Sequence, residues 1–249
     1  MTRNTDLVVA RPEGLYCPRG DFHIDPWRPV ARAVITHGHG DHARAGSGEY
    51  FTTRAGLPIL QWRLGEQLYH EHDYGDLFRI GDATVSLHPA GHVLGSAQVR
   101  IECGGEVWVV SGDYKRQPDP TCAPFEPVRC DTFITEATFG LPIYRWPDTP
   151  DVAREIVAWR DECAARGETA VLYCYALGKA QRLLAELAAF TDRPAYVHGA
   201  VSATGIVSSI GMPAARYTCT PVSTAPCTYA GRSVHAASSA SSRCALPSA

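Results

Sequence analysis

A chain of 249 residues, 45% hydrophobic and 20% charged, has the length of one large domain or two small ones and the composition of a globular protein. No apolar run reaches the length of a membrane span and the polar start Met1–Asp6 is not that of a signal peptide, so no membrane association and a cytoplasmic location are expected. A net charge of −3 argues against a broad basic face for nucleic acid, although bound divalent ions would reverse the local sign at a phosphate site.

The nine cysteines include no C-x-x-C pair and read as reduced thiols. The basic residues are 21 arginines and only two lysines, Lys115 and Lys179.

Residues 7–30 read as short strands and turns: Leu7–Ala10, Gly14–Pro18 and Phe22–Trp27. His23 and Asp25 are of ligand type, but they alternate with Phe22 and Ile24 and so read as outward or turn positions. The apolar run Ala33-Val34-Ile35 then delivers Thr36-His37-Gly38-His39-Gly40-Asp41-His42. Glycines between histidines also suit a polar turn. Four ligand-type residues at H-x-H-x-D-H spacing after a buried strand point instead to a metal site, since imidazole and carboxylate both suit Zn²⁺ and the spacing lets two ligands face each of two ions.

Phe51-Thr52-Thr53 reads as a strand, and 57–70 as an amphipathic helix with Leu60, Leu64 and Leu68 on one stripe. The second H-x-H pattern, His70-Glu71-His72, has no apolar strand before it and reads as a solvated loop rather than a ligand pair. Ala83–His88 alternates strictly, a half-buried strand running into Pro89-Ala90-Gly91-His92. His92 lies in a glycine-flanked loop after a strand, which makes it the candidate third histidine of the first metal. His88 has a structural default.

Gln98–Cys103 alternates again, and Gly104-Gly105 predicts a hairpin turn. The return strand Val107–Val110 is apolar on both faces, as a central strand would be, and delivers Asp113 as a candidate bridging ligand. Phe133-Ile134-Thr135-Glu136 repeats the plan with Glu136.

From Thr149 the pattern changes to helices alternating with strands. Thr149 is a candidate N-cap, with Pro150 in the first turn and Gly167 closing the helix. Ala170–Tyr175 reads as a buried strand, and Gly178-Lys179 opens a further helix, where a lysine at a helix start could meet a phosphate. Pro194–His198 reads as a strand. Beyond Val201 there is no Asp, Glu, Lys, Trp or Phe, and ten serines and ten alanines without periodicity predict a disordered tail.

As a set, THGHGDH (36–42), AGHVLGS (90–96), SGDY (111–114) and TEATFG (135–140) resemble the successive motifs of the metallo-β-lactamase superfamily. TEATFG and the LGKAQ segment are similar to its β-CASP nuclease branch. GLYCPRGDFHIDPWRP (14–29) and YALGKAQRLL (175–184) resemble, more narrowly, the bacterial ligase-associated DNA exonucleases, also labelled mRNA 3′-end processing factor-like.

The resemblance implies an α/β fold: the first half of a metallo-β-lactamase αβ/βα sandwich over 1–148, the start of a β-CASP α/β insertion over 149–200, and an atypical tail over 201–249. It implies a first metal on His37, His39 and His92, with Asp113 bridging to a second metal on Asp41 and His42. Asp41, Asp113 and Glu136 are the implied catalytic residues and Lys179 a substrate contact. The implied cofactor is Zn²⁺ at two sites, with Mn²⁺ as an alternative, and the implied activity is DNA-exonuclease-type phosphodiester hydrolysis. The implied partners are nucleic acid, DNA ahead of RNA, and a DNA ligase or helicase. The downstream histidine motifs of that family are not found after Val201, so the second metal site is expected to be incomplete, the chain truncated or frame-shifted near residue 200, and activity impaired. Two other readings are a small-molecule metallohydrolase of lactonase or thioesterase type, against which TEATFG and LGKAQ count, and a non-catalytic nucleic-acid-binding remnant.

Overall fold

The computed structural model describes residues 6–174, 177–193 and 195–198, and the backbone of 217–220, 236–237 and 243–244. The tail expected beyond Val201, including His235, otherwise lies outside the described residues, as do Tyr175 and the side chain of His198. Two compact units are present, Met1–Ala137 and Thr138–Ala249.

The first unit holds two sheets. One has six strands in chain order: β1 (Val9–Arg11), β2 (Gly14–Cys17), β3 (Phe22–Ile24), β4 (Arg32–Val34), β5 (Glu49–Thr53) and β6 (Tyr69–His72). β1 to β3 are antiparallel, and β3 to β6 run parallel. Helix α1 (Leu57–Leu64) links β5 to β6. The other sheet has the order β11-β10-β9-β8-β7, from β7 (Phe78–Ile80), β8 (Ala83–Pro89), β9 (Ala97–Cys103), β10 (Glu106–Val110) and β11 (Thr132–Ile134). Its first four strands form an antiparallel meander, to which β11 adds in parallel beside β10.

Strand alternation decides what each face buries. Phe22, Ile24, Val34 and Phe51 of the first sheet join Val85, Leu87, Val99, Ile101 and Val110 of the second in one apolar cluster, so the sheets pack face to face. The intervening residues Ala33, Ile35 and Tyr50 face the other way and pack with Leu60 of α1. Each buried Val, Leu, Ile or Phe contributes about 1.5–3 kcal/mol, which fixes the register, because a one-residue slip would turn every such side chain outward.

Gly104 and Gly105 both have positive φ (64° and 87°) in a two-residue loop between Cys103 and Glu106, as a hairpin matched to strand twist requires. The helix expected over 57–70 stops at Leu64, because Gly65 takes φ 71° and the chain turns away. The solvated loop expected at His70–His72 is instead β6, paired in parallel with β5 from Tyr50↔Tyr69 to Thr53↔His72. It is short and polar because it is an edge strand, whose outer backbone edge faces no neighbour in the sheet.

In the second unit, α2 spans Thr149–Ala165 and its N-cap is Asp148, one residue earlier than expected, which puts Pro150 in the first turn. It ends in a left-handed Gly167 (φ 74°) with two returning bonds, Glu168 N–H to the Cys163 carbonyl (2.9 Å) and Gly167 N–H to the Ala164 carbonyl (3.0 Å). α3 (Lys179–Leu187) places Leu183 and Leu187 against Val152, Ile156 and Leu172. The strand expected at 170–175 is not formed over 171–174, which have no sheet neighbour and leave Tyr173 exposed. β12 (Ala195–His198) pairs in parallel with β13 (Tyr217–Thr220). Among the described residues no helix is long and apolar enough to cross a membrane.

Candidate metal centre

The centre forms where strands of both sheets of the first unit end. β4 runs through buried Ile35 and Thr36 into the loop carrying His37, His39, Asp41 and His42. β8 leads to His92, and β10 leads through Ser111 and Gly112 to Asp113. One ligand-capable atom from each of His37, His39, His92 and Asp113 lies within 4.8 Å of all the others. His37 Nε2 is 2.9 Å from His39 Nδ1, and His92 Nε2 is 3.3 Å from the same atom. Asp113 Oδ2 lies 3.8 Å from His37 Nε2 and 3.5 Å from His92 Nε2.

Close backbone approach holds these loops in place. Gly91 takes φ +71°, and a Cβ there would meet the Lys115 carbonyl at 2.3 Å. Lys115 N–H in turn donates to the Ala90 carbonyl (2.9 Å), which ties the His92 loop to the Asp113 loop. A Cβ on Gly112 would sit 2.7 Å from the Thr36 side chain, so glycine lets the Asp113 loop pass against the first histidine loop. Ser96 Oγ accepts from the amides of His92 (3.1 Å) and Val93 (3.2 Å) and closes the turn.

A residue read from sequence as a turn or outward position, Asp25, proves central. Its backbone is left-handed (φ 45°), a strained conformation for a residue other than glycine. That turn aims its carboxylate at Thr36 and His42. Oδ1 accepts from the Thr36 amide (2.8 Å), and Oδ2 accepts from the Thr36 hydroxyl (2.5 Å) and from His42 Nδ1 (2.7 Å). Asp25, His37 and His42 make a second group of potential ligands.

The same bonds select a tautomer. The Thr36 hydroxyl spends its one proton on Asp25, so towards His37 Nδ1 (3.0 Å) it can only accept. His37 Nδ1 therefore carries the ring proton, and the Nε2 lone pair faces the cluster. Burial first, then the neighbouring histidines, hold the His37 pKa well below the ordinary value, so the ring is neutral as a metal ligand must be.

His42 is the opposite case. Burial opposes its charge, but hydrogen bonds to Asp113 and Asp25 raise its pKa to about 10. For Asp113, burial pushes the carboxyl up, yet the bond from His42 and the surrounding imidazoles outweigh it and hold the pKa below the carboxylate range. Asp113 Oδ1 stands 3.3 Å from His42 Nε2, so Asp25, His42 and Asp113 form a continuous chain.

Three imidazoles and one carboxylate converging on one point suit a borderline divalent ion. The other expected site residues, Asp41, Glu136 and Lys179, are not members of the four-residue cluster. The Asp41 side chain is 75% exposed, with Oδ2 3.7 Å from His42 Nε2. Glu136 follows β11, half-buried, and its amide donates to Ser111 Oγ (3.4 Å). Lys179 is the first residue of α3, half-buried in the second unit. His70 bonds Glu49 (2.9 Å), His72 stacks on Phe78, and His88 bonds Ser86 (3.0 Å), none of them in the four-residue cluster.

Asp25 was missed because its role depends on partners 11 and 17 residues away. The available signal was an Asp followed by Pro26 at a strand end, a place where Asp tolerates the left-handed turn.

No family model matches the chain. A probable DNA ligase of Opitutus terrae is 33% identical over 182 residues, 72% of this chain and 18% of that protein. An endoribonuclease ysh1 of Emericella nidulans is 28% identical over 193 residues, 61% of this chain and 21% of that protein. Among solved structures, a protein of unknown function from Enterococcus faecalis V583 shares the fold, with a TM-score of 0.53 and 13% identity over 78% of this chain and 52% of that one. The chain spans about a fifth of the length of the curated relatives it matches. With those matches, and with its four motifs set at successive strand ends of two facing sheets, the chain belongs to the metallo-β-lactamase superfamily, in its β-CASP branch.

Proposed function

We propose that the chain is part of a metal-dependent phosphodiester hydrolase acting on nucleic acid, DNA ahead of RNA, in the manner of an exonuclease. The observation that carries this reading is the convergence of His37, His39, His92 and Asp113 within 4.8 Å, three rings and a carboxylate from both sheets. The similarity to a probable DNA ligase and to an endoribonuclease supports a nucleic-acid substrate.

His37, His39, His92 and Asp113 would hold Zn²⁺, with Mn²⁺ as the alternative, and His42 with Asp41 would begin a second site next to Asp113. A divalent ion there supplies an activated water and neutralises charge on the phosphoryl oxygens. The chain's own residues do the rest. Asp25 keeps His42 turned towards Asp113, and Thr36 keeps the His37 lone pair inward. Asp41, exposed at the lip, is the carboxylate we assign to accept a proton at Oδ2 from the attacking water. Glu136 is assigned as an orienting carboxylate, and Lys179 as a phosphate contact from the 149–200 segment. A DNA ligase or helicase is the proposed partner.

The test is digestion of end-labelled single- and double-stranded DNA and of RNA, with Zn²⁺ or Mn²⁺ and with chelator. The reading expects chelator-sensitive loss of label from DNA. Turnover of a lactone or thioester with intact DNA would replace it by a small-molecule hydrolase, and salt-sensitive DNA binding without cleavage would leave a binding remnant.

A further inference from the structure

Arg63 sits in the last turn of α1, whose buried residues Ile59 and Leu60 face the core. Its Nε donates to the Gly38 carbonyl (2.7 Å), in the loop between His37 and His39. Its Nη1 lies 3.1 Å from where a Cβ on Gly40 would stand, so the guanidinium crosses the loop on both sides of His39. A side chain at Gly40 would press on the guanidinium and displace it by a few tenths of an ångström.

Among the described residues no carboxylate pairs with Arg63, a state it shares with other surface arginines such as Arg79; what sets it apart is its place against the histidine loop. The residue is exposed, and its positive charge is among those that disfavour protonation of His37. An exposed positive charge beside the histidine loop favours an anion there over a further cation. A guanidinium with one N–H anchored and its terminal nitrogens open is preorganised for a bidentate contact with a phosphate.

We propose that Arg63 is a substrate-binding residue, a clamp for a backbone phosphate of single-stranded nucleic acid at the lip of the metal centre. This rests on the nuclease reading above. The Gly38 bond fixes its height over the loop, and the terminal nitrogens take the non-bridging oxygens of a phosphate adjoining the one to be cleaved. The contact is to the backbone and carries no base preference.

The test uses the full chain loaded with Zn²⁺ and a fluorescent, cleavage-resistant phosphorothioate single strand, with affinity read by anisotropy over a salt series. Arg63→Ala should weaken binding roughly tenfold for every sequence, as loss of a charge-assisted bond does. It should also reduce the steepness of log K against log salt by about 0.7, the share of one phosphate contact. Arg63→Lys, which keeps the charge and loses the fork, should keep the slope and recover part of the affinity. Arg79→Ala, which removes an exposed guanidinium from β7, should change neither, and zinc content should stay that of the parent in all three. Parent-like affinity and slope in Arg63→Ala overturn the proposal while leaving the nuclease reading intact. Loss of zinc in both Arg63 variants overturns it in favour of a residue that only braces the loop. Absence of binding by the unaltered chain removes both readings together.

Discussion

Replacing Asp25 tests whether an orienting carboxylate, outside the four-residue cluster, sets the geometry of the metal centre. It accepts from the Thr36 amide, the Thr36 hydroxyl and His42 Nδ1 at 2.5–2.8 Å, with side-chain exposures of 13% for Asp25 and 19% for His42. Bonds to a charged acceptor are worth about 1.5–3 kcal/mol each and do not add simply, because all three share one carboxylate. Removing one partner of a buried ion pair costs about 3–5 kcal/mol. Alanine bears the same left-handed strain at φ 45° and offsets none of this. Asp25→Ala should therefore cost about 4 kcal/mol in metal-free protein. For a unit of 137 residues that is a fall in melting temperature of roughly 12 °C. Asp25→Asn keeps the acceptor for the Thr36 amide but turns an NH₂ towards His42, so it should lose about half as much. Either change should weaken zinc binding by about 10–100-fold, the usual effect of removing a ligand's orienting partner. Thermal melts in chelator and competition against a chromophoric chelator read the two effects separately. An Asp25→Asn protein with the parent's melting curve and the parent's zinc affinity would sink the argument.

Three further outcomes can be measured. Gly91→Ala should cost about 3 kcal/mol, from φ +71° and a Cβ 2.3 Å from the Lys115 carbonyl, whereas Gly104→Ala, with φ +64° but open space, should cost about 1–2 in denaturant melts. Elemental analysis should find one tightly held zinc, lowered by Asp113→Ala, because among the described residues one group of four donors is preformed and the second group, Asp25, His37 and His42, has three and shares His37 with the first; full occupancy of two sites would contradict this. His72 stacks on Phe78 at 3.6 Å, and burial lowers its pKa below 6.5, so the unfolded chain binds the proton more readily and stability falls as pH drops through 6.5. His72→Phe keeps the stack without that titration, and its stability should decline less below pH 6.5; parallel curves for variant and parent would show that His72 does not contribute.

What could be read from sequence was whatever depends on neighbours along the chain. The alternation of Ala83–His88, the Gly104-Gly105 turn and the apolar run before Thr36 each report local burial, and β8, the hairpin and β4 appear where they point. The motif loops were legible because glycines and ligands must sit close together to turn the chain at a strand end. β6 was not legible, since a polar edge strand takes its order from hydrogen bonds with β5 rather than from its own side chains. Asp25 failed for the same reason on a smaller scale. Its sequence neighbours describe a strand end, while its function lies in bonds to Thr36 and His42, which only the parallel pairing of β3 with β4 brings alongside.

That pairing also explains why fold and site depend on each other here. Asp25, His37, His39 and His42 hang from the ends of β3 and β4 in one sheet, whereas His92 and Asp113 hang from β8 and β10 in the other. The distances among His37, His39, His92 and Asp113 are therefore set by how the two sheets pack, through Val34, Phe51, Val85, Leu87, Val99 and Val110. The linkage works in reverse too. A cation that binds only the assembled cluster draws its binding energy from the folded sandwich and stabilises it by the same amount. Without a cation, the three inward-facing rings and the Asp25–His42–Asp113 chain keep polar groups close to the end of that apolar core. The core tolerates them because Thr36, Asp25 and Ser96 give them and their loops hydrogen-bond partners, which makes those three residues as much a part of the fold as of the chemistry.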